Sequence, residues 1–243
     1  MLDLPGHGLS ERPDASYELA WYARIVARWL AEMDLDAVDV VGHSFGGGVA
    51  QMLLLECPQR VRRLVLVSSG GLGHEVAVAL RLAALPQVVE RLGQAFMGPG
   101  TRIALKATGH NASRDEVARL VALNGQRGTA RAFARTVKDV IGLRGQRRSF
   151  FDRAHELSSL PPVAVFWGKR DSVIPVTHAR QLAHYLDGVH VVEFEQGGHY
   201  PHQTEADAFQ SALRDFLDAP SMAPARMRAS RVHATPEMQL QSA

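Results

Sequence analysis

The chain has 243 residues, 46% hydrophobic and 21% charged, which is the balance of a folded domain and excludes a disordered or collagen-like chain. Its net charge of +2 is dispersed, so the short run Arg144-Gly145-Gln146-Arg147-Arg148 reads as solvated surface and no nucleic-acid partner is expected. The single cysteine, Cys57, excludes an intrachain disulfide, and with no signal peptide and no membrane-length apolar run the expectation is a cytoplasmic chain with no membrane partner.

Residues 2–10, Leu-Asp-Leu-Pro-Gly-His-Gly-Leu-Ser, read as a loop, because Pro5, Gly6 and Gly8 favour turns. Residues 16–33 carry helical periodicity, with Tyr17, Trp21, Ile25, Trp29 and Leu30 or Met33 near one face and Ser16 as the expected cap. Residues 37–42 are short, β-branched and closed by Gly42, as in a buried strand. A helix opens at Phe45 and stops near Pro58, and residues 64–68 form a second apolar strand. Two apolar strands joined through a helix predict an α/β fold: a mostly parallel sheet with helices on both faces.

The segment 73–155 changes character. Leu80, Leu82, Leu85, Val88, Val89, Leu92 and Phe96 recur at helical spacing, broken at Gly98-Pro99-Gly100 and again at Gly125 and Gly128. It reads as a helical lid inserted between two parts of a core, 1–72 and 156–218. The strand pattern resumes at 163–167 and 189–194, with helices expected from Pro175 to about Leu186 and over 204–217. Residues 219–243 lack a lasting period and are expected to be disordered.

Gly42-His43-Ser44-Phe45-Gly46 has the form Gly-x-Ser-x-Gly. A serine hydroxyl is a weak nucleophile that needs a base and an exposed position, and a sharp strand-to-helix turn provides the exposure. Asp171 follows the strand at 163–167, and His199 follows the strand at 189–194. Reactive groups of parallel sheets gather at the carboxyl ends of strands, and Ser44, Asp171 and His199 each stand at such an end. The competing readings are a turn serine, an aspartate capping the helix near Pro175, and a structural histidine. His7 and His43 read as bracing residues, and His202 as a helix cap or pocket residue. The remaining histidines lack ligand spacing, so neither a metal nor an organic cofactor is expected.

Asp3-Leu4-Pro5-Gly6-His7-Gly8-Leu9-Ser10, Gly42-His43-Ser44-Phe45-Gly46-Gly47, Trp167-Gly168-Lys169-Arg170-Asp171 and Gly198-His199-Tyr200-Pro201-His202 together resemble the successive signatures of the α/β-hydrolase superfamily, over residues 3 to about 217 outside the lid. The resemblance implies Ser44 as nucleophile, His199 as general base, Asp171 as the residue orienting it, and the Phe45 N–H as one oxyanion donor. It is closest in pattern to lidded serine esterases and to hydrolases that cleave carbon–carbon bonds in ring-fission products. A small acyl substrate is implied, with ester hydrolysis the first expectation, carbon–carbon cleavage the second, and an inactive remnant the third. The oligomeric state is open.

Members of the superfamily carry strands ahead of the Asp-Leu-Pro-Gly-His-Gly loop, together about 45 residues at typical element lengths. This sequence starts inside that loop, so the expectation is an N-terminally truncated form. Val38, Val40 and Val41 would then border an unpaired apolar edge.

Overall fold

Four apolar runs pair into one parallel sheet in the computed structural model, which describes residues 2–82, 89–90, 92–108 and 113–228. They are β1 (Val38–His43), β2 (Val61–Val67), β3 (Val163–Gly168) and β4 (His190–Phe194), and their spatial order is their chain order. The helices are α1 (Leu19–Glu32), α2 (Phe45–Glu56), α3 (Val78–Leu82), α4 (Gln94–Ala107), α5 (Arg114–Asn124), α6 (Thr129–Val140), α7 (Thr177–Tyr185), α8 (Pro201–Thr204) and α9 (Ala206–Asp218). No helix among the described residues is long and apolar enough to cross a membrane.

The period-two alternation of strand side chains sorts the sheet into two covered faces. Leu64, Leu66, Val165 and Trp167 pack with Leu53 and Leu54 of α2 and with Ala179 and Leu182 of α7. Their strand neighbours Val65, Val67, Ala164 and Phe166 meet Phe209 and Phe216 of α9 on the other face. Covering both faces is what an all-parallel sheet requires, and it explains why β3 is buried along its whole length. Truncating Phe166, which is fully buried, would cost roughly 3–5 kcal/mol. At one end of the sheet, β1 pairs only with β2 among the described residues, and Val41 is 45% exposed.

Several local expectations shift. Ser16 does not cap α1: the helix starts at Leu19, whose N–H is met by Asp139 Oδ2 at 3.0 Å from the end of α6. The buried residues of the helix are Leu19, Tyr22, Ala23 and Leu30: Leu30 belongs to the expected face, while Trp21, Ile25 and Trp29 are only partly covered, because α1 packs between α2 and α6. Gly98-Pro99-Gly100 does not break α4, and Pro99 lies inside the helix. Gly98 instead serves contact: a Cβ there would meet Val121 O at 3.2 Å, so its absence lets α4 and α5 approach closely. The breaks at Gly125 and Gly128 are real, for Gly125 ends α5 and Gly128 adopts φ +93 ahead of α6.

The segment after α6 carries no further α-helix before β3, only short 3-10 turns at Phe150–Asp152 and Ala154–Glu156. Residues 141–142 and 145–146 pair as a small antiparallel ribbon. Arg148 is tied to the mostly buried Asp139 at 2.7 Å, and Arg147 Nε donates to Ile141 O at 3.1 Å, so the arginine run braces this turn. The stretch from Ala219, expected to be disordered, is ordered through Arg228. Ala225 is buried, and Arg226–Met227 pair with Leu186–Asp187, so two short segments far apart in sequence supply each other's backbone hydrogen bonds. Leu85, Val88 and residues 229–243 lie outside the described residues.

Candidate active site

The carboxyl ends of the parallel strands converge on one place. β1 delivers Ser44, which occupies φ 52, ψ −116 between the strand and α2. Such a positive φ is unusual for a residue with a side chain and lifts the hydroxyl clear of the sheet. The turn is held by Ser44 N–H donating to Val67 O at 2.9 Å, and by the N–H groups of Gly47 and Gly70 donating to Ser44 O at 3.0 and 3.1 Å. Phe45 begins α2, so its N–H is one of the first-turn groups without an intrahelical acceptor.

The glycines around this turn share the work of close packing unequally. A Cβ on Gly42 would meet Gly46 O at 2.6 Å, so Gly42 allows the strand to pass tightly against α2. Gly46 has open space around it, and the crowded position is Gly47, where a Cβ would collide with Ser69.

The three residues expected from the strand-end placements are brought together. Ser44 Oγ lies 2.9 Å from His199 Nε2, and His199 Nδ1 lies 2.9 Å from Asp171 Oδ2. With the serine hydroxyl donating to Nε2, the imidazole carries its proton on Nδ1 and donates it to the carboxylate. Asp171 also receives the N–H groups of Val173 and Ile174 on Oδ1 at 2.8 and 3.0 Å. Asp171 therefore does not cap the helix that follows Pro175, which starts at Thr177 without a side-chain cap; one of its oxygens holds the turn at Val173 and Ile174 and the other faces His199. Its side chain is fully covered, and His199 is 4% exposed.

His43 braces this arrangement. Its Nε2–H donates to the backbone carbonyl of His199 at 2.7 Å, and its ring packs against those of His199, Tyr200 and His202. Burial pushes the His43 pKa down to about 4, so the ring is neutral near pH 7. His202 packs between His43 and Phe209 inside the short α8, away from the start of α9.

Two glutamines had no sequence signal beyond their polarity. Gln51 Nε2 donates to Ser69 Oγ and Gly70 O at 2.8 and 2.7 Å, while Gln146 Oε1 accepts the Gly71 N–H at 2.7 Å. Together they fix the loop that follows β2 beside Ser44. Only tertiary contact joins positions this far apart.

Ser44 opens into a cavity of about 580 Å³. Most of its wall is apolar, with Met97, Ala104, Leu105, Phe133, Val137 and Val140 coming from α4 and α6. Among the described residues no group of three or more His, Cys, Asp or Glu side chains is arranged to hold a metal ion.

A strand-to-helix serine turn, a histidine and an aspartate at successive strand ends, and helices closing a pocket above them are the architecture of the α/β-hydrolase fold. The sequence model of the family described as "alpha/beta hydrolase fold" matches residues 1–206, and the chain belongs to that family. An uncharacterized protein of Mycobacterium tuberculosis is 34% identical over 226 residues, covering 89% of this chain and 66% of that protein. The chain thus spans just under two thirds of that relative's length. A 2-hydroxymuconate semialdehyde hydrolase of a Pseudomonas strain is 30% identical over 222 residues, covering 88% of this chain and 74% of the relative. An esterase from Exiguobacterium antarcticum superposes with a TM-score of 0.71 at 18% identity, covering 89% of this chain and 80% of the esterase, a likeness of fold.

Proposed function

We propose that the chain is a serine hydrolase that cleaves a carboxylic ester or related acyl compound through an acyl-enzyme on Ser44. The observation that carries this reading is the continuous path from Ser44 Oγ through His199 to Asp171, with both hydrogen bonds at 2.9 Å. Ser44 Oγ attacks the carbonyl carbon as its proton passes to His199 Nε2. The covered Asp171 carboxylate stabilises the resulting imidazolium and keeps it oriented. The Phe45 N–H, at the positive end of α2, faces the developing oxyanion, and one such donor is typically worth about 10²–10³ in turnover. His199 then gives its proton to the departing alcohol. Water, deprotonated by the same nitrogen, releases the acid and restores Ser44.

Carbon–carbon hydrolysis of a ring-fission product is the second reading. It is favoured by likeness to the 30% identical 2-hydroxymuconate semialdehyde hydrolase of Pseudomonas, which this chain covers over 74% of its length. A panel of p-nitrophenyl esters assayed beside a dienoate ring-fission product separates the two. Ester turnover without dienoate turnover supports the first reading, and the opposite result replaces it by the second. Absence of Ser44 labelling by a fluorophosphonate in folded protein would overturn both.

A further inference from the structure

One wall of the cavity is a single face of a helix. Met97, Thr101, Ala104, Leu105 and Thr108 of α4 and its C-terminal cap all line the pocket, at the spacing of one helical face. Tyr200, whose ring lies 5.3 Å from that of His199, lines the same cavity. The Thr108 hydroxyl donates to Ala104 O at 2.9 Å.

From Thr108, seven residues back along α4 at the helical rise place Thr101 about 10 Å away. Ala104 and Leu105 fill the interval with apolar surface. At Thr101 the wall turns polar. Its hydroxyl donates to Met97 O at 2.7 Å and accepts from Asn124 Nδ2 at 2.9 Å. Because the Thr101 proton is already committed, the Asn124 amide must present nitrogen to it, and this fixes the orientation of the amide. Asn124 Oδ1 and its second N–H then have no hydrogen-bond partner among the described residues, and Asn124 lines the cavity.

We infer that the pocket takes a largely apolar acyl chain bearing a hydroxyl where Asn124 receives and returns a hydrogen bond. A hydroxyl matches this amide because it both donates and accepts. A purely alkyl chain reaching Asn124 would bury its free amide groups unsatisfied. The inference names a substrate class for the ester reading and rests on it for the placement of the acyl carbonyl at Ser44.

The test is a binding measurement on the full chain carrying Ser44→Ala, which cannot turn over its ligand. Isothermal titration compares the straight-chain methyl esters of six, eight, ten and twelve carbons each with its terminally hydroxylated counterpart. The expected result is about three- to tenfold tighter binding of the hydroxylated ester at the chain length that reaches Asn124, the usual net gain of a hydrogen bond. Adding Asn124→Leu abolishes that preference. Thr101→Val, a near-isosteric change that frees the amide to turn, reduces it. Equal or weaker binding of every hydroxylated ester overturns the inference, as does a gain of equal size at every length or a preference that survives Asn124→Leu. Turnover of p-nitrophenyl octanoate by the unsubstituted chain reads the ester assignment separately. If turnover is absent while the binding preference holds, the ester reading fails and the polar end of the pocket stands.

Discussion

His43, the residue before the serine turn, holds His199 through the backbone: its Nε2–H meets the His199 carbonyl oxygen at 2.7 Å. The same contact joins the ends of β1 and β4, which lie at opposite edges of the four-stranded sheet. His199 reaches Ser44 only if its loop stays at this height. His43→Ala is therefore expected to lower kcat for a p-nitrophenyl ester by about 10- to 100-fold, the usual penalty for misplacing a reacting group by about an ångström, with KM changed far less. His43→Gln, which keeps an N–H donor, should recover part of the loss. Steady-state kinetics of the two variants check this.

Stability should depend on pH through buried histidines. The folded pKa of His43 is about 4, below the unfolded value of 6.5, so between these limits the unfolded chain binds the extra proton. Stability is then complete above pH 6.5 and falls as pH drops toward 4, by up to about 3 kcal/mol from this residue. Burial also lowers the pKa of His178, which adds to the same trend. Urea midpoints measured at pH 7 and pH 4.5 should differ, and His43→Phe should narrow the difference.

Asp171 has two structural duties and one proposed chemical one. Asp171→Asn should lower kcat by roughly 10⁴, because an amide facing Nδ1 favours the wrong tautomer of His199. Asp171→Ala should in addition lose stability, roughly 1–3 kcal/mol, since the Val173 and Ile174 N–H groups lose their acceptor. Esterase assays and denaturant melts run on both variants separate the two effects.

Two adjacent glycines should behave differently. Gly47→Ala drives a methyl into Ser69 and is expected to cost about 1–3 kcal/mol. Gly46→Ala meets nothing within 4 Å and should leave stability unchanged or slightly raised, as alanine favours the helix. Thermal melts of the pair provide the comparison.

The strands and the three candidate residues were legible because each rests on a local signal. Apolar runs of β-branched residues mark buried strands wherever they are placed, and glycines around a serine mark a sharp turn. Chain order then put Asp171 and His199 at the ends of β3 and β4. The lid was legible only in outline. Its periodicity showed helices, but Pro99 sits inside one where the sequence read a break, because Gly98 lets α4 and α5 pack closely and that contact holds the helix. The stretch 219–228 had no period to read, since its order comes from pairing with residues 186–187.

The sequence by itself determined the α/β alternation, the serine turn and the order of the site residues, since these follow from side-chain patterning within a few residues. Only the tertiary structure decided that Ser44, His199 and Asp171 meet at 2.9 Å, that His43 braces them, and that Gly47 is the crowded glycine. It also decided that Thr101 and Asn124 form a polar end to an apolar pocket. Those are properties of distance between residues remote in the chain, and distance is fixed by how helices and strands pack against one another.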